Sequence, residues 1–446
     1  MTDAWTVQGL GIDAIAESFG TPLYVYDSEV LRDTLRGVRE TLHPDLGILY
    51  SLKANPNISI VAELLRGGAG AEVSSLAELV TALRAGAQPD DIIFLGPGKS
   101  REELAACLDH GIAAVVCESF PELTLIDELA RERGTTARVV LRVNPSFSVK
   151  GSGLTMGGKP RQFGIDEQAV LDGADAIRAH RNVRVAGIHV YLGTRVLTEQ
   201  AIIDNTRNIL ALAERLSATS AIPLELVDVG GGLGVAYFEN EQDLDLAALG
   251  AGLNPVVADF TGRHPGTRVL MELGRYLVAR AGTYVTRIRY VKDSFGVPFA
   301  VADGGTNHHM AAVGVGSFVK RNFPIVLLSR AAYDEPRRPW HVSGPLCTPN
   351  DLIAKGVPLP DLRAGDLVGV TRSGAYGPTA SPGLFLSHGY PAEVLVADGA
   401  VHLVRERDTV ADILRGQVLA DRPVDPPHDH PHPLSPLVSH PGRKTS

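Results

Sequence analysis

The run Ile48-Leu49-Tyr50-Ser51-Leu52 is followed at once by Lys53-Ala54-Asn55-Pro56 and then by a segment of helical period over residues 58–67. The first run is apolar and bounded by loop-forming residues, which favours a buried β-strand. The chain therefore passes from strand to loop to helix in about twenty residues. Lys53 is predicted to close the strand, where partial loss of hydration would lower the pKa of its amine. The other interpretation is a solvated lysine without a chemical role.

This strand–loop–helix unit recurs along the chain. Eight strands are predicted near residues 47–53, 71–75, 92–96, 113–117, 138–143, 185–191, 224–229 and 268–272. Helical segments lie between them at 58–67, 76–86, 101–111, 121–133, 167–180, 199–218 and 245–262, with an eighth candidate at 28–42. Eight parallel strands are the number that closes a βα barrel. The sequence predicts an α/β fold with a (βα)8 TIM barrel over residues 27–280.

The chain changes character after residue 280. Short β-branched runs separated by Gly, Pro and Asp indicate an antiparallel β domain over residues 281–415. Residues 1–26 are too short to fold alone and are predicted to add a strand to this domain, so that the barrel is inserted within its sequence. The Pro- and His-rich residues 416–446 are predicted to be a disordered tail.

Composition excludes several classes of partner. The chain has 446 residues, with 42 basic against 51 acidic side chains and a formal charge of -9, and no basic block suggests nucleic acid. No apolar segment approaches the roughly 20 residues that cross a bilayer, so we expect no membrane association. Cys107, Cys117 and Cys347 show no paired spacing for zinc or disulfides, and the N-terminus lacks a signal-peptide pattern. We expect a cytoplasmic protein without a metal site.

Polar residues fall at the carboxyl ends of the predicted strands, where barrel enzymes collect their functional groups. From the first strand to the eighth they are Lys53, Glu72, Arg142, His189, Asp228 with Gly230-Gly231-Gly232, and Glu272 with Arg275. One mouth is therefore predicted to hold an amine, an imidazole, carboxylates and a glycine loop.

The glycine loop and Arg275 favour a phosphate site. Backbone N–H groups of Gly230-Gly231-Gly232 are accessible without a Cβ, although a tight turn would explain the glycines equally well. A dinucleotide site is disfavoured, because the motif follows seven strand–helix units instead of opening the fold. Arg275 on the neighbouring strand matches the phosphate position that is usual in barrels.

Lysine, phosphate site and carboxylate together suggest pyridoxal 5′-phosphate. Lys53 would condense with its aldehyde, and Glu272 would keep the pyridine nitrogen protonated so that the ring accepts electrons. His189 would stack on the ring, or would be a hydrogen-bonded core histidine.

At these residues the chain resembles the fold-type III pyridoxal-phosphate decarboxylases, the group of diaminopimelate, ornithine and arginine decarboxylases. The resemblance extends from Thr21 to about residue 415. Its motifs are Tyr50–Asn55, Phe163-Gly164-Ile165, Gly187-Ile188-His189, Gly230-Gly231-Gly232, Glu272–Tyr276, Gly344–Cys347 and Gly374-Ala375-Tyr376. It implies Lys53 as the Schiff-base lysine, and it implies cofactor contacts for His189, Gly231, Gly232, Glu272, Gly274, Arg275 and Tyr376.

The resemblance also implies a head-to-tail homodimer with shared active sites. Cys347 and Asp351 would reach into the partner's site, and Cys347 would protonate Cα after the α-carboxylate leaves. A buried inert cysteine is the alternative for Cys347. Arg142 and His308 are further candidates for substrate contact, and a histidine pair without a chemical role is the alternative for His308.

One motif departs from the family pattern. Diaminopimelate decarboxylases have an acidic residue directly after the equivalent cysteine, whereas this chain has Cys347-Thr348-Pro349-Asn350-Asp351. The run Gly344–Pro349 looks more like a branch that acts in specialised pathways, some members of which decarboxylate an aminoacyl group on a carrier protein, such as a glutamyl thioester. We therefore predict a specialised amino-acid decarboxylase, with diaminopimelate decarboxylase of lysine biosynthesis as the alternative.

Two further alternatives share the barrel. An amino-acid racemase typically has arginine at the pyridine nitrogen, which Glu272 argues against. A non-catalytic pyridoxal-phosphate-binding protein would resemble the barrel alone, whereas this chain continues through a second domain that contains Cys347 and Tyr376.

Overall fold

The barrel predicted from the sequence is closed. The computed structural model describes residues 5–148, 154–155, 157–220, 222–313, 321–331 and 335–420. The eight strands are Leu46–Ser51, Gly70–Val73, Ile92–Phe94, Ala114–Cys117, Ala137–Asn144, Val183–His189, Leu226–Gly231 and Arg268–Leu273. Each pairs in parallel with its two neighbours, the eighth with the first included. A ninth short strand, Ile165–Asp166, pairs with the end of the fifth. The (βα)8 prediction is confirmed.

Helices follow the barrel strands as predicted. They are Ser28–Thr41, Ile58–Arg66, Leu76–Arg84, Arg101–His110, Phe120–Glu132, Glu167–Asp172, Ala174–Ala179, Glu199–Ser220, Leu246–Arg263 and Arg275–Val278. Serine side chains at positions 75, 100 and 119 accept backbone N–H groups of the first helical turn, which explains where three of these helices begin. The helix predicted over 167–180 is two helices, because the chain breaks at Gly173.

A second, β-rich sheet completes the fold. Its strands are Leu23–Asp27, Gly282–Ser294, Val297–Ala302, Ile325–Leu327, Arg338–Ser343, Leu352–Leu359, Leu367–Val370, Ala392–Ala397 and Ala400–Arg405. The N-terminal strand pairs with Gly282–Ser294 on one side and with Ala392–Ala397 on the other. The barrel is therefore inserted within the sequence of this sheet. Most pairs are antiparallel as predicted, but two are parallel, since long connections return the chain in the same direction.

The chain up to Arg407 forms one compact unit that contains both the barrel and the sheet. A second unit begins at Asp408 and contains the helix Val410–Leu414 among its described residues. The tail predicted to be disordered lies outside the described residues from position 421 onward. Among the helices that the structure describes, none is long and apolar enough to span a membrane.

Candidate active site

Lys53 lies just beyond the first barrel strand. The strand ends at Ser51, and Leu52–Ala54 form a 3₁₀ turn that carries Lys53, so the lysine follows the strand instead of closing it. The hydroxyl of Tyr50 donates to the backbone oxygen of Asn55 at 2.7 Å and supports this turn from inside. The amine is thus carried by a short, braced turn at the barrel mouth.

The loop Gly374–Tyr376, which belongs to the second sheet, holds the same turn from the other side. The Asn55 side chain donates to the backbone oxygen of Gly374 at 3.0 Å, and the backbone N–H of Tyr376 donates to the oxygen of Ala54 at 2.7 Å. Barrel and sheet therefore meet at the residues that flank Lys53. This explains why the family motif around Tyr376 belongs to the site although it is more than 300 positions away in the sequence.

Lys53 forms an ion pair with Glu72. Its Nζ lies 3.1 Å from Oε2 of Glu72, which is buried, whereas 35% of the lysine side chain remains exposed. Oε1 of the same carboxylate accepts a hydrogen bond from Ser74 at 3.0 Å. Burial alone would lower the pKa of Lys53, but the carboxylates of Glu72 and Glu272 outweigh it and raise the pKa. The prediction of a lowered pKa was therefore wrong.

His189 and Glu272 form a second buried pair. Nε2 of the histidine lies 3.1 Å from Oε1 of the glutamate, and both side chains are almost wholly inaccessible. Burial by itself would raise the pKa of Glu272, but His189 and the positive charges of Lys53 and Arg142 lower it to about 2. Glu272 is therefore ionised, and the nitrogen that faces it carries the proton of the hydrogen bond.

Asp228 completes this cluster, and sequence reasoning gave it no role of its own. Its Oδ1 accepts the backbone N–H of Gly230 at 2.8 Å. Burial and the negative charge of Glu272 raise its pKa well above the ordinary value, which favours the protonated form of this carboxyl group. Ligand atoms of His189, Asp228 and Glu272 lie within 4.8 Å of one another, close enough to share a cation as well. The expectation of no metal stays a prediction.

The glycine loop allows strands to approach closely. A Cβ on Gly231 would lie 1.7 Å from the backbone oxygen of Glu272, and one on Gly232 would lie 2.1 Å from that of Gly193. Gly232 also has a φ of +94°, a conformation that side chains disfavour. Any other residue would push the loop away from the mouth.

Arg275 lies beside this loop and has no carboxylate partner in the described chain. It begins the short helix after Gly274, at which a Cβ would come within 3.0 Å of the Cβ of Ala54. Nη1 donates to the hydroxyl of Tyr237 at 3.2 Å, and the guanidinium lies 4.6 Å from the ring centroid of Tyr376. No acidic group of the described chain is within ion-pair distance of Arg275. Its charge is therefore available to an anion.

Arg142 is committed to a buried ion pair. Nη1 lies 2.9 Å from Oε1 of Glu118, and the guanidinium covers the ring of Phe163 at 4.7 Å from its centroid. Glu118 also accepts the backbone N–H groups of Gly96 and Gly164. These contacts do not support the predicted contact of Arg142 with substrate, which stays a prediction; what they support is a positive charge fixed near Glu272.

His308 lies in the core of the second sheet. The hydroxyl of Tyr24 donates to its backbone oxygen at 2.8 Å, and its Nε2 lies 2.9 Å from the backbone oxygen of Gly389. Its Nδ1 lies 3.3 Å from the hydroxyl of Tyr284. These contacts give His308 a structural place and do not support its predicted contact with substrate.

Asp351 and Cys347 occupy one loop but differ in exposure. Asp351 is buried, and its two oxygens accept the backbone N–H groups of Thr306 and Leu346, each at 2.8 Å. Cys347 is exposed, and its thiol makes no hydrogen bond to any barrel residue that the structure describes. Asp351 therefore organises the loop that presents Cys347 to solvent. Its predicted contact with substrate gains no support from this chain alone.

The barrel mouth fits pyridoxal phosphate. Oε2 of Glu272 is buried without a hydrogen-bond partner in the described chain and is available to a protonated ring nitrogen, and Nδ1 of His189 lacks a partner too. Arg275 and the glycine loop offer a cation and a backbone surface to a phosphate. Lys53 keeps an accessible amine for an aldehyde. Each polar part of the cofactor thus has a matching group.

Comparisons with known proteins show the family of the chain. Residues 29–279 match the family described as pyridoxal-dependent decarboxylase, pyridoxal binding domain. The chain is 39% identical over 411 residues to L-glutamyl-[BtrI acyl-carrier protein] decarboxylase of Niallia circulans, covering 91% of this chain and 96% of that protein. It is 31% identical over 418 residues to diaminopimelate decarboxylase of Methanothermobacter thermautotrophicus, covering 91% and 94%.

Solved structures show the same architecture. Diaminopimelate decarboxylase from M. jannaschii in co-complex with L-lysine superposes with a TM-score of 0.85 at 27% identity, covering 93% of this chain and 96% of that one. The Helicobacter pylori enzyme complexed with L-lysine gives a TM-score of 0.81 at 28% identity, with coverages of 90% and 98%.

Proposed function

The chain belongs to the pyridoxal-dependent decarboxylases, and from this premise we propose that it removes the α-carboxylate of an amino acid carried on a carrier protein. The expected substrate is a glutamyl thioester joined through the side-chain carboxyl group, because only then is the α-carboxylate free to leave as carbon dioxide. It is a carboxy-lyase that uses pyridoxal phosphate. What is proposed is the identity of the substrate, the role of each residue and the assembly.

The observation that carries the substrate proposal is the absence of a free carboxylate in the loop 347–351. Thr348 is uncharged, and Asp351 is the only acidic residue there. Both oxygens of Asp351 already accept backbone N–H groups. A distal ammonium, as in a diamino acid, would find no counter-ion in this loop. A glutamyl group has no such ammonium, which agrees with the greater identity to the relative named for a glutamyl-carrier substrate.

Lys53 is proposed as the covalent anchor of the cofactor. When bound, pyridoxal phosphate supplies an aldehyde that condenses with amines and a ring that accepts an electron pair. The ammonium of Lys53 must release a proton before it can react, and Glu72, 3.1 Å away, is the nearest acceptor. The exposed third of the side chain gives a substrate amine access to the same place.

Glu272, His189 and Asp228 are proposed to control charge at the ring. Ionised Glu272 would hold a proton at the ring nitrogen, and the raised pKa of Asp228 beside it favours the form that adds no second negative charge. His189 fixes Oε1 of Glu272, whereas Oε2 accepts no N–H group of the described chain. Arg275, Tyr376, Gly274 and the glycine loop are proposed to hold the phosphate.

Cys347 is proposed to protonate Cα in the active site of a partner subunit. Its thiol is exposed and makes no contact with the mouth of its own barrel among the residues described. A head-to-tail homodimer would bring this thiol to the neighbouring Lys53. All three cysteines are free, which supports a reducing compartment, and we place the enzyme in the cytoplasm.

A panel of substrates tests the proposal. Carbon dioxide release is measured with free glutamate, a γ-glutamyl thioester of pantetheine, whose α-carboxylate is free, and meso-diaminopimelate. We expect release from the thioester and little from the other two. Release from meso-diaminopimelate alone would establish the alternative, which relatives of 31% identity support. Failure with every substrate would refute the proposed substrate.

A further inference from the structure

A large cleft adjoins the proposed phosphate corner of the active site. It is formed by residues 236–241, which follow the seventh barrel strand, and by residues 321–325, 356–358 and 371–372 of the sheet. Its volume is about 950 Å³. All of these segments belong to the same compact unit, so the cleft is a feature of one folded body. Nothing in the reaction at Lys53 accounts for so large a space.

The cleft is basic although the chain as a whole carries a formal charge of -9. Two of the charges that line it are neutralised, because Arg372 pairs with Asp243 at 2.9 Å and Glu241 pairs with Arg195 at 3.0 Å. Two further cations, Arg321 and Arg337, are exposed. In the part of the chain that is described, neither has a carboxylate within ion-pair distance. Against them stands one exposed acid, Glu239.

The floor of the cleft is aromatic and leads to the active site. The rings of Tyr237 and Phe323 are stacked with centroids 4.2 Å apart, and Phe238 packs against both. The hydroxyl of Tyr237 accepts the hydrogen bond from Arg275 described above. One side chain therefore lines the cleft and also contacts the cation proposed to hold the cofactor phosphate.

We propose that this cleft binds the phosphopantetheine arm of the carrier-linked substrate. This inference rests on the proposed function, in which the aminoacyl group arrives as a thioester. Such an arm carries a phosphate at one end and the thioester at the other. Arg321 and Arg337 hold the phosphate, and the aromatic floor guides the chain of the arm toward Lys53.

Binding tests the cleft without any turnover. 4′-Phosphopantetheine and pantetheine, which differ in one phosphate, are titrated onto the holoenzyme by calorimetry. We expect the phosphorylated compound to bind about tenfold more tightly, as charge-assisted hydrogen bonds generally allow. Arg321→Glu and Arg337→Glu abolish that difference, and Arg321→Gln reduces it. Arg84→Glu, at an exposed arginine outside the cleft, is the matched control and leaves the preference intact.

Kinetics with the two glutamyl thioesters separates this inference from the proposed function. The expected result is a lower KM for the phosphopantetheine thioester, lost in Arg321→Glu with little change in kcat. Equal binding and equal KM for both compounds in the wild type would overturn the inference while the proposed function stands. A phosphate preference in binding with no carbon dioxide from either thioester would instead defeat the proposed function. Circular dichroism confirms that each variant is folded.

Discussion

The barrel mouth and the core of the second sheet both bury histidines and carboxylates, but the hydrogen bonds and charges of these groups differ between the two regions. In the sheet, both oxygens of Asp351 accept backbone N–H groups, and Nε2 of His309 lies 2.8 Å from the Ser373 hydroxyl. Burial lowers the pKa of His309 to about 3, so its partnerless Nδ1 belongs to a neutral ring. In the mouth, Glu272 is ionised, and its buried Oε2 accepts no N–H group of the described chain.

The difference separates structural polar groups from groups that await a ligand. A buried charge with an unused hydrogen-bonding atom is costly, and proteins retain such atoms where a bound molecule completes them. Paired groups in the sheet contribute to stability and need nothing more. The contrast can be tested by changing one residue at a time on each side of it.

Lys53→Ala is the strongest test of the mouth. We expect the loss of the adduct that borohydride fixes between protein and cofactor, and a fall in decarboxylation of about 10³-fold or more, since no other amine replaces the anchor. Mass spectrometry of reduced protein measures the adduct. Lys292→Ala, at an exposed lysine of the sheet, is the control. An adduct that persists in Lys53→Ala would move the anchor to another residue.

Glu272→Gln and Asp228→Asn test which carboxyl group carries the charge. Glutamine removes a charge that the mouth uses, so we expect kcat to fall about 10²- to 10⁴-fold, in the range of groups that hold a proton in catalysis. Asparagine keeps Asp228 neutral and similar in shape, so its effect should stay below about tenfold. Rates with cofactor bound, judged by visible absorbance, are compared. Equal losses would contradict the assignment of charge.

The pH dependence of the free energy of unfolding tests the raised pKa of Asp228. In the folded state Asp228 keeps its proton, whereas in the unfolded chain it ionises above its ordinary pKa of 3.8. Rising pH therefore favours the unfolded chain and lowers the free energy of unfolding of the wild type. Asp228→Asn lacks this loss, so its stability relative to wild type should grow from roughly pH 4 upward. Denaturant melts across pH measure it.

Cys347→Ala tests whether the mouth is completed by a second subunit. We expect turnover to fall about 10²-fold, as for loss of a general acid, with cofactor binding unchanged. Mixing this variant with Lys53→Ala should restore about one quarter of wild-type activity, because in a symmetric dimer half the molecules are hybrids with one intact site. Sedimentation or light scattering gives the oligomeric state. Mixtures that stay inactive would indicate that Cys347 acts in the active site of its own subunit.

The sequence predicted the barrel well because strand and helix periodicity is local. All eight strands and the helices between them fall close to their predicted positions. The short strand Ile325–Leu327 pairs with Leu367–Val370, a segment much further along the chain, and no local pattern contains such a pairing. The edge strand Ala400–Arg405, in contrast, forms a hairpin with Ala392–Ala397 through the turn Asp398-Gly399. The order of the strands within the second sheet could not be predicted from local sequence patterns either.

The site residues divide in the same way, into those whose position follows from a local pattern and those whose properties depend on contacts between distant strands. Lys53, His189 and Glu272 could be placed at one end of the barrel because strand ends converge there whatever the details of packing, and their roles stay predictions. The role of Asp228 and the raised pKa of Lys53 depend on distances between different strands, which no local pattern contains. The burial of the His308 ring was not predicted for the same reason, since a histidine in a loop-like run gives no sign of it, and its contact with substrate stays a prediction.

His308→Gln tests the sheet side of the comparison and should have the smallest effect on catalysis. The variant loses hydrogen bonds to the Gly389 backbone and the Tyr284 hydroxyl, so we expect unfolding to become easier by about 1–3 kcal/mol. Because this ring lies in the core of the sheet, kcat and KM of the folded enzyme should stay near wild type. Thermal melts and steady-state kinetics on the same preparation measure both. A raised KM with an unchanged free energy of unfolding would indicate that His308 contacts the substrate, because the loss of a purely structural contact would lower stability and leave KM unchanged.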